Sequence, residues 1–160
     1  MEEKIVLLLG SNVGDRKENL ERAVLELTVE FGQSLMESSI YVTEPWGLKE
    51  QDTYLNQVVI FETALRPERV LETILEIEKR MGRERTKKWG PRIIDIDILF
   101  YDDLIYESEI LKIPHPNMEM RRFVLVPLCE LLSQMEHPLF GVSIKKLLDK
   151  CPDSCKVERI

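Results

Sequence analysis

The chain of 160 residues is 44% hydrophobic and 32% charged, a composition typical of one globular domain and not of a disordered chain. Its apolar runs fall far short of the roughly 20 residues of a membrane-spanning helix, and its acidic N-terminal segment is unlike a signal peptide. A net charge of −7 argues against a general nucleic-acid-binding protein. We therefore expect one cytoplasmic domain over residues 1–160, with neither nucleic acid nor membrane as a partner.

The first pattern in the chain is a strand followed by a helix. The apolar run Lys4–Leu9 predicts a central strand, which GSNVGD at 10–15 should end. Asp15, followed three residues later by Glu18, is typical of a helix start, and apolar residues at helical spacing continue to Gly32. GSNVGD is either a plain strand-to-helix turn or a turn whose backbone touches a ligand.

Two strands and a second helix come next. The β-rich segment at 38–43 and the segment Tyr54–Thr63 predict strands, with a loop at 44–52 between them. Pro67 suits the first turn of a helix, and Gly82 suits its C-terminal end.

The rest of the chain completes an α+β pattern. A strand is predicted at 93–101, a hairpin with residues 104–108, and helices at 123–132 and 141–149. The order β-α-β-β-α-β is that of a ferredoxin-like sandwich, in which helices pack on one face of an antiparallel sheet. The hairpin and the C-terminal helices are additions to it.

A basic segment at 79–92 is unusual in this acidic chain. Seven lysines and arginines stand there against one acid, Glu84, so the segment carries +6 and the remainder of the chain −13. Such a segment suggests a bound anion, although a solvated loop gives the same pattern. Neither a P-loop sequence nor a GxGxxG sequence occurs, so a nucleotide would have to be held in another way.

Two aspartates interrupt the apolar strand that follows, in KKWGPRIIDIDILF at 87–100. Because side chains alternate along a strand, four apolar residues should share its core face: Ile94, Ile96, Ile98 and Phe100. Asp95 and Asp97 then share the other face, about 6–7 Å apart. Two carboxylates at that spacing repel unless a cation such as Mg²⁺ bridges them, or unless both simply face water. With arginines upstream, metal-binding acids beside phosphate-binding guanidiniums would form a phosphoryl-transfer site.

The three cysteines are too few for a disulfide framework. Cys151 and Cys155 form a CPDSC sequence near the C-terminus, and the two histidines, His115 and His137, show no zinc-type spacing with them. We interpret the pair as ordinary thiols.

Six segments of the chain resemble, in the same order, those of one enzyme family. They are LLLGSN at 7–12, YVTEPWG at 41–47, YLNQVV at 54–59, IEKRMGR at 77–83, KWGPRIIDIDILF at 88–100 and PHPNMEMRRFVLVPL at 114–128. Together they are similar to the 6-hydroxymethyl-7,8-dihydropterin pyrophosphokinases of folate biosynthesis. The resemblance covers nearly the whole chain up to about Leu132.

The resemblance implies an ATP-dependent diphosphokinase. Such an enzyme transfers the pyrophosphoryl group of ATP to the hydroxymethyl group of the pterin and releases AMP. The resemblance also implies that Asp95 and Asp97 hold two Mg²⁺ ions, and that Arg83 and Arg92 stabilise the transferring phosphates. Arg83 would lie in a loop that closes over ATP. The family expectation is a monomer.

Further residues match substrate-binding positions of the family. Tyr54 and Phe123 match the aromatics that sandwich the pterin ring, and Asn56 matches the residue that pairs with its polar edge. Thr43, Trp46 and Gly47 would add pterin contacts. Seven residues match ATP-side positions: Glu78, Arg85, Trp89, Arg92, Ile98, His115 and Arg121.

Two other functions remain open on the residues alone. A non-catalytic ferredoxin-like module could bind a small effector, and a two-metal nuclease could use the same acids. The acidic character of the chain outside the basic segment counts against the nuclease. Mg²⁺-dependent formation of AMP, not ADP, would distinguish the pyrophosphokinase from both.

Overall fold

Residues 2–43, 53–82 and 92–160 are described by a computed structural model of the chain. The predicted loop at 44–52 and the central part of the basic segment, 83–91, lie outside these ranges. The described residues form these elements: β1 Glu3–Ser11, α1 Arg16–Phe31, β2 Met36–Glu37, β3 Tyr41–Thr43, β4 Tyr54–Thr63, α2 Pro67–Arg80, β5 Asp95–Tyr101, β6 Tyr106–Glu107, β7 Lys112–Ile113, a 3₁₀ helix Met118–Met120, α3 Arg122–Leu132, α4 Ile144–Asp149 and β8 Val157–Arg159. Within the described ranges, no helix combines the length and the apolar character needed to cross a bilayer.

The main sheet is antiparallel and has the strand order β5-β1-β4-β3-β8, with β2 also paired to β4. Strands β1, β3, β4 and β5, with α1 and α2 between them, follow the β-α-β-β-α-β order, which confirms the predicted ferredoxin-like fold. Strand β8, which the sequence did not predict, adds an edge to this sheet.

Helices cover both faces of the sheet, whereas the sequence predicted helices on one face. The core on one side joins Leu7 of β1 to apolar residues of α1 and α2. The core on the other side joins Val6 and Leu8 of β1 to apolar residues of α3 and α4. The physical reason lies in β1 itself, because a strand that is apolar on both faces requires a cover on both.

A β-bulge in β5 changes which side its last residues face. Leu7 pairs with Ile98 but Val6 pairs with Phe100, so Leu99 is one extra residue on β5. Ile96 and Ile98 are buried on the α1/α2 side, as predicted. The prediction for Phe100 was wrong, because the extra residue reverses the alternation and places Phe100 in the core beneath α3.

Capping groups set the ends of two helices. Asp15 is the N-cap of α1 and accepts a hydrogen bond from the Glu18 N–H at 3.1 Å, as the spacing predicted. Gly32 follows α1 with a φ of 87°, a conformation that favours glycine. The helix predicted at 141–149 begins only at Ile144, because Ser143 caps its first turn.

Several strand boundaries differ from the predictions, and β5 begins at Asp95 rather than at residue 93. Strand β1 continues to Ser11, because the pairing with β4 continues to that residue. The strand predicted at 38–43 is shorter and begins only at Tyr41, because at Ser38 the side-chain hydroxyl accepts the hydrogen bond of the Val58 N–H, at 2.9 Å. After the left-handed turn at Asp102, residues 104–108 do not pair with β5, and the hairpin forms between β6 and β7 instead.

Candidate active site

A cavity of about 420 Å³ lies on the α3 side of the sheet. Four strands and the start of α3 supply much of its wall. Nine residues selected from the sequence line it together: Thr43, Tyr54, Asn56, Arg92, Asp95, Asp97, His115, Arg121 and Phe123. Leu8, Gly10, Leu99 and Val124 complete the described lining.

Strand register gives the cavity two chemically different ends. Asp95 of β5 pairs with Gly10 of β1, and Gly10 pairs with Asn56 of β4. Asp95 and Asn56 therefore lie two strand spacings apart, about 10 Å. One end carries carboxylates, and the other carries the amide of Asn56 and the hydroxyl of Thr43.

Gly10 forms the floor between these ends. A Cβ added there would lie 2.8 Å from Asn56 Nδ2, closer than real side chains approach each other. The sequence placed this glycine in a turn, but it lies inside β1 and leaves room for the Asn56 amide.

Paired carboxylates and a histidine make up the acidic end. Arg92 donates a hydrogen bond to Asp95 Oδ2 at 3.0 Å, and His115 Nε2 lies 3.8 Å from Asp97 Oδ1. Burial lowers the pKa of His115, although the contact of Nδ1 with the Pro116 carbonyl oxygen, at 3.0 Å, opposes the shift. Because a carbonyl oxygen can only accept, Nδ1 is the donor in that contact, and Nε2 is the ring nitrogen that faces Asp97.

Asn12, which is far from Arg92 in the sequence, binds the backbone of Arg92. Its side-chain Oδ1 accepts the Arg92 N–H at 2.7 Å, and its own N–H donates to the Arg92 carbonyl at 3.0 Å. Asn12 is buried, and these two hydrogen bonds hold the backbone of Arg92. The sequence analysis treated Asn12 only as part of a turn, since nothing local signals a contact across 80 residues.

Two buried acceptors lie at the other end. Thr43 Oγ1 and Asn56 Oδ1 have no hydrogen-bond partner in the part of the chain that the structure describes. Asn56 Nδ2 donates to the Leu9 carbonyl at 3.2 Å, which orients the amide. A buried acceptor without a partner is costly, so both atoms suit a ligand that brings hydrogen-bond donors.

Two aromatic side chains line this end of the cavity, one from the sheet and one from the helix that covers it. Tyr54 comes from β4 in the sheet, and Phe123 comes from the first turn of α3, which covers the sheet. Arg16 of α1 supports the start of β4 by donating to the Thr53 carbonyl at 2.8 Å and to its hydroxyl at 2.6 Å. Local sequence patterns do not indicate this support, because the two residues are 37 positions apart.

Two residues predicted on the ATP side do not line the cavity. The Ile98 side chain is buried in the core on the opposite face of β5, since it follows the alternation of Ile96. Glu78 is buried on α2 and accepts a hydrogen bond from the Ile96 N–H at 2.8 Å. Neither side chain therefore faces a ligand in this cavity. The predictions for Trp46, Gly47, Arg83, Arg85 and Trp89 lie outside the described residues.

Comparison with known proteins gives matches along most of the chain. Residues 6–133 match the family model described as 7,8-dihydro-6-hydroxymethylpterin-pyrophosphokinase (HPPK). A 2-amino-4-hydroxy-6-hydroxymethyldihydropteridine pyrophosphokinase of Aquifex aeolicus is 40% identical over 142 residues, which are 89% of this chain and 88% of the relative. The protein of the same name in Bacillus subtilis is 43% identical over 131 residues, 81% of this chain and 78% of the relative.

A solved structure supports the fold. Wild-type HPPK-DHPS of Plasmodium falciparum superimposes with a TM-score of 0.74 over 94% of this chain at 17% identity. The chain spans less than half of that protein, 45% of its length. The family match over most of the chain and relatives at about 40% identity lead to one conclusion. The chain belongs to the 7,8-dihydro-6-hydroxymethylpterin-pyrophosphokinase family.

Proposed function

We propose that this chain transfers pyrophosphate from ATP to 6-hydroxymethyl-7,8-dihydropterin, giving AMP and the pterin diphosphate in folate biosynthesis. The names of its relatives support this activity. One structural observation carries it: paired carboxylates lie at one end of a cavity whose other end holds two buried acceptors, Asn56 Oδ1 and Thr43 Oγ1.

The pterin would occupy the end formed by β3 and β4. Its amino and ring N–H groups are donors, which suit the acceptors of Asn56 and Thr43. Its flat ring would stack between Tyr54 and Phe123, because aromatic faces favour such contacts. By resemblance, Trp46 and Gly47 would add further pterin contacts.

The same orientation would bring the reacting group to the carboxylates. The polar edge of a pterin and its 6-hydroxymethyl group lie at opposite ends of the ring system. A pterin held at Asn56 would therefore point its hydroxyl toward Asp95, about 10 Å away across two strand spacings.

ATP would bind at the acidic end. Asp95 and Asp97 supply oxygen donors of the kind that Mg²⁺ prefers, and we propose that they hold two such ions. Magnesium bound there would neutralise charge on the phosphates. Arg92, whose backbone Asn12 holds and whose guanidinium lies beside Asp95, would donate to a phosphate oxygen.

Other side chains would orient the nucleotide. His115 and Arg121 line the cavity, and we propose that both contact the nucleotide, Arg121 as a cation. Arg83, Arg85 and Trp89 are proposed for ATP binding on the resemblance alone. Glu78 and Ile98 would act only indirectly, by anchoring β5 from its buried side.

In this arrangement the pterin hydroxyl oxygen forms a bond to the β-phosphorus of ATP, and the bond from that phosphorus to the α-β bridging oxygen breaks. AMP leaves with the bridging oxygen, and the proton of the pterin hydroxyl is released to water. The contribution of the chain is to align the two substrates and stabilise the phosphate charge, as in other phosphoryl transfers.

We propose that residues 1–160 act as one domain and as a monomer. The resemblance to the family, whose expectation is a monomer, supports this proposal. The use of ATP supports a cytoplasmic location, and the net charge of −7 supports the absence of a nucleic-acid partner.

The test is to incubate the protein with ATP, Mg²⁺ and 6-hydroxymethyl-7,8-dihydropterin and to separate the nucleotide products. We expect AMP, and we expect Asp95→Asn or Asp97→Asn to lower its formation at least about 100-fold, because each removes a charge that acts on the phosphates. The matched control is Asp103→Asn, an exposed aspartate in the turn after β5.

The unfolding midpoints of the Asp95 and Asp97 variants should stay near that of the wild type. Mn²⁺ bound in the presence of an ATP analogue, measured by electron paramagnetic resonance, should fall in both. Formation of ADP would contradict the proposal. Ligand binding without turnover would favour the effector-binding module, and cleavage of DNA or RNA would favour the nuclease.

A further inference from the structure

The C-terminal segment 151–160 lies beyond the family match, which ends at residue 133. Within it, β8 pairs with β3, so that Val157 lies opposite Thr43 and Arg159 opposite Tyr41. The Ile160 N–H continues the ladder by donating to the Ile40 carbonyl at 3.0 Å. The segment therefore supports the strand that carries Thr43 into the cavity.

The same segment also caps α3. Asp153 Oδ2 accepts a hydrogen bond from the Arg122 N–H at 2.9 Å, and Asp153 Oδ1 accepts one from the Cys155 N–H at 2.9 Å. Arg121, the residue at the N-cap position, makes no capping hydrogen bond with its side chain. Asp153 thus supplies, from 31 residues away, the acceptor and the negative charge that a helix N-terminus favours.

The cap on α3 and the pairing of β8 with β3 support two different walls of the same cavity. The first turn of α3 carries Phe123 and Val124 into the cavity, and β3 carries Thr43 into it. The carboxylates at the other end come from β5, which neither Asp153 nor β8 contacts through a hydrogen bond in the described part of the chain.

We propose that the C-terminal segment positions the pterin end of the site through the Asp153 carboxylate and the backbone of β8, with Asp153 as the positioning residue. The inference rests on the proposed function. Loss of the Asp153 carboxylate would leave the first turn of α3 without its cap and would let Phe123 move relative to Thr43. Pterin binding should weaken, whereas the ATP end should not change.

The experiment compares steady-state kinetics of the full chain with those of Asp153→Ala, Asp153→Asn and Glu158→Ala. For Asp153→Ala, we expect the KM for the pterin to rise about threefold to tenfold. This factor corresponds to the stability that a helix loses with its N-cap. The KM for ATP and the kcat at saturating pterin should stay within twofold of wild type. Asp153→Asn keeps an acceptor and should restore most of the pterin KM.

Glu158→Ala is the matched control, because it also removes a carboxylate from the C-terminal segment. Among the described residues, the Glu158 carboxylate pairs only with the exposed Lys156. Its kinetics should equal those of the wild type. If Asp153→Ala does not fold, Asp153→Glu provides the test, since it keeps the charge but moves the carboxylate by one methylene. The same rise in pterin KM is expected for it.

Hydrogen exchange separates this inference from the proposed function. The amides of residues 122–125 should exchange faster in Asp153→Ala than in wild type, whatever reaction the protein catalyses. A wild type that forms no AMP would overturn the proposed function and leave this measurement valid. An unchanged pterin KM, equal rises in both KM values, or unchanged exchange at 122–125 would each overturn the positioning role.

Discussion

At the scale of single residues, the cavity depends on polar groups that are held by other polar groups. Asn12 fixes the backbone of Arg92, whose guanidinium reaches Asp95, and the Leu9 carbonyl orients the Asn56 amide. Such supports restrict side chains to one arrangement before a ligand arrives, which reduces the cost of ordering them on binding.

Replacement of Asn12 tests this support. Asn12→Ala removes the acceptor for the Arg92 N–H, so the arginine should lose its fixed position beside Asp95. We expect kcat for AMP formation to fall about 10-fold to 100-fold, the range seen when groups that orient ligands of a metal site are removed. Steady-state kinetics with both substrates measures this loss. A variant that folds and keeps the wild-type kcat would contradict it.

His137 makes stability depend on pH. It is buried, stacks on Phe140 with ring centroids 4.4 Å apart and lies edge-on to Phe100. Burial lowers its pKa below the ordinary value near 6.5. The unfolded chain therefore takes up the proton first as the pH falls, so the stabilising contribution is complete above about pH 6.5 and is lost below it.

Urea unfolding at pH 7.5 and pH 5.5 measures this contribution. His137→Asn removes the titration and can keep an acceptor for the Leu139 N–H, which now bonds to Nδ1 at 3.1 Å. We expect the wild type to lose more stability between the two pH values than the variant does, by up to about 1.4 kcal/mol, because pH 5.5 lies one unit below the ordinary histidine pKa of 6.5. Equal losses in both proteins would rule out His137 as the source.

At the scale of elements, β5 shows how one strand serves both a core and a site. Ile96 and Ile98 anchor it on the α1/α2 side, while Asp95 and Asp97 line the cavity on the other. The buried Glu78 carboxylate ties α2 to the Ile96 N–H between the two aspartates. The position of both acids therefore depends on a contact made on the opposite face.

Removal of that contact should destabilise β5. Glu78→Ala would leave the buried Ile96 N–H without its acceptor, at a cost of about 1–3 kcal/mol. Urea denaturation measures the change in the free energy of unfolding. Glu76→Ala, an exposed glutamate on the same helix, is the control and should change stability by less than about 0.5 kcal/mol. Equal stability of the two variants would show that Glu78 does not anchor β5.

At the scale of the whole molecule, α3 joins the cavity to the far edge of the sheet. Its Glu130 carboxylate accepts a hydrogen bond from the Tyr41 hydroxyl at 2.6 Å and two from the Ser39 N–H at 3.0 and 3.1 Å. Arg159 of β8 lies 3.6 Å from the same carboxylate. Burial acts to raise the pKa of Glu130, but these hydrogen bonds outweigh it and lower the pKa.

This junction should contribute to global stability. We expect Glu130→Ala to lower the free energy of unfolding by about 1–3 kcal/mol, because it removes charged hydrogen-bond acceptors between α3 and β3. The pKa of Glu130 is lowered in the folded protein, so its carboxylate stabilises the fold only where it is ionised. The difference in the free energy of unfolding between wild type and Glu130→Ala should therefore shrink as the pH falls below about 4.3, the ordinary pKa of glutamate. Thermal and urea unfolding test both statements, with exposed Glu136→Ala as the control. A difference that does not depend on pH would contradict the role of the ionised carboxylate.

Local chemistry in the sequence was enough for several features. Alternation along a strand placed Ile96 and Ile98 on one face and Asp95 and Asp97 on the other, and the spacing of Asp15 and Glu18 marked the start of α1. These features depend on residues within a few positions of each other, so short-range periodicity and capping patterns report them.

Other features depend on contacts between distant parts of the chain, and only the tertiary structure decided them. Phe100 changed faces because of a bulge against β1, and Glu78 became a buried support beneath β5. The Asn12–Arg92 clamp and the Asp153 cap on α3 join residues 80 and 31 positions apart. By itself, the sequence determined the order of the helices and of the four central strands β1, β3, β4 and β5, together with the acidic face of β5. The packing of the sheet against α3 decided which groups hold that face and its cavity, because hydrogen bonds between distant segments follow from register and packing rather than from local pattern.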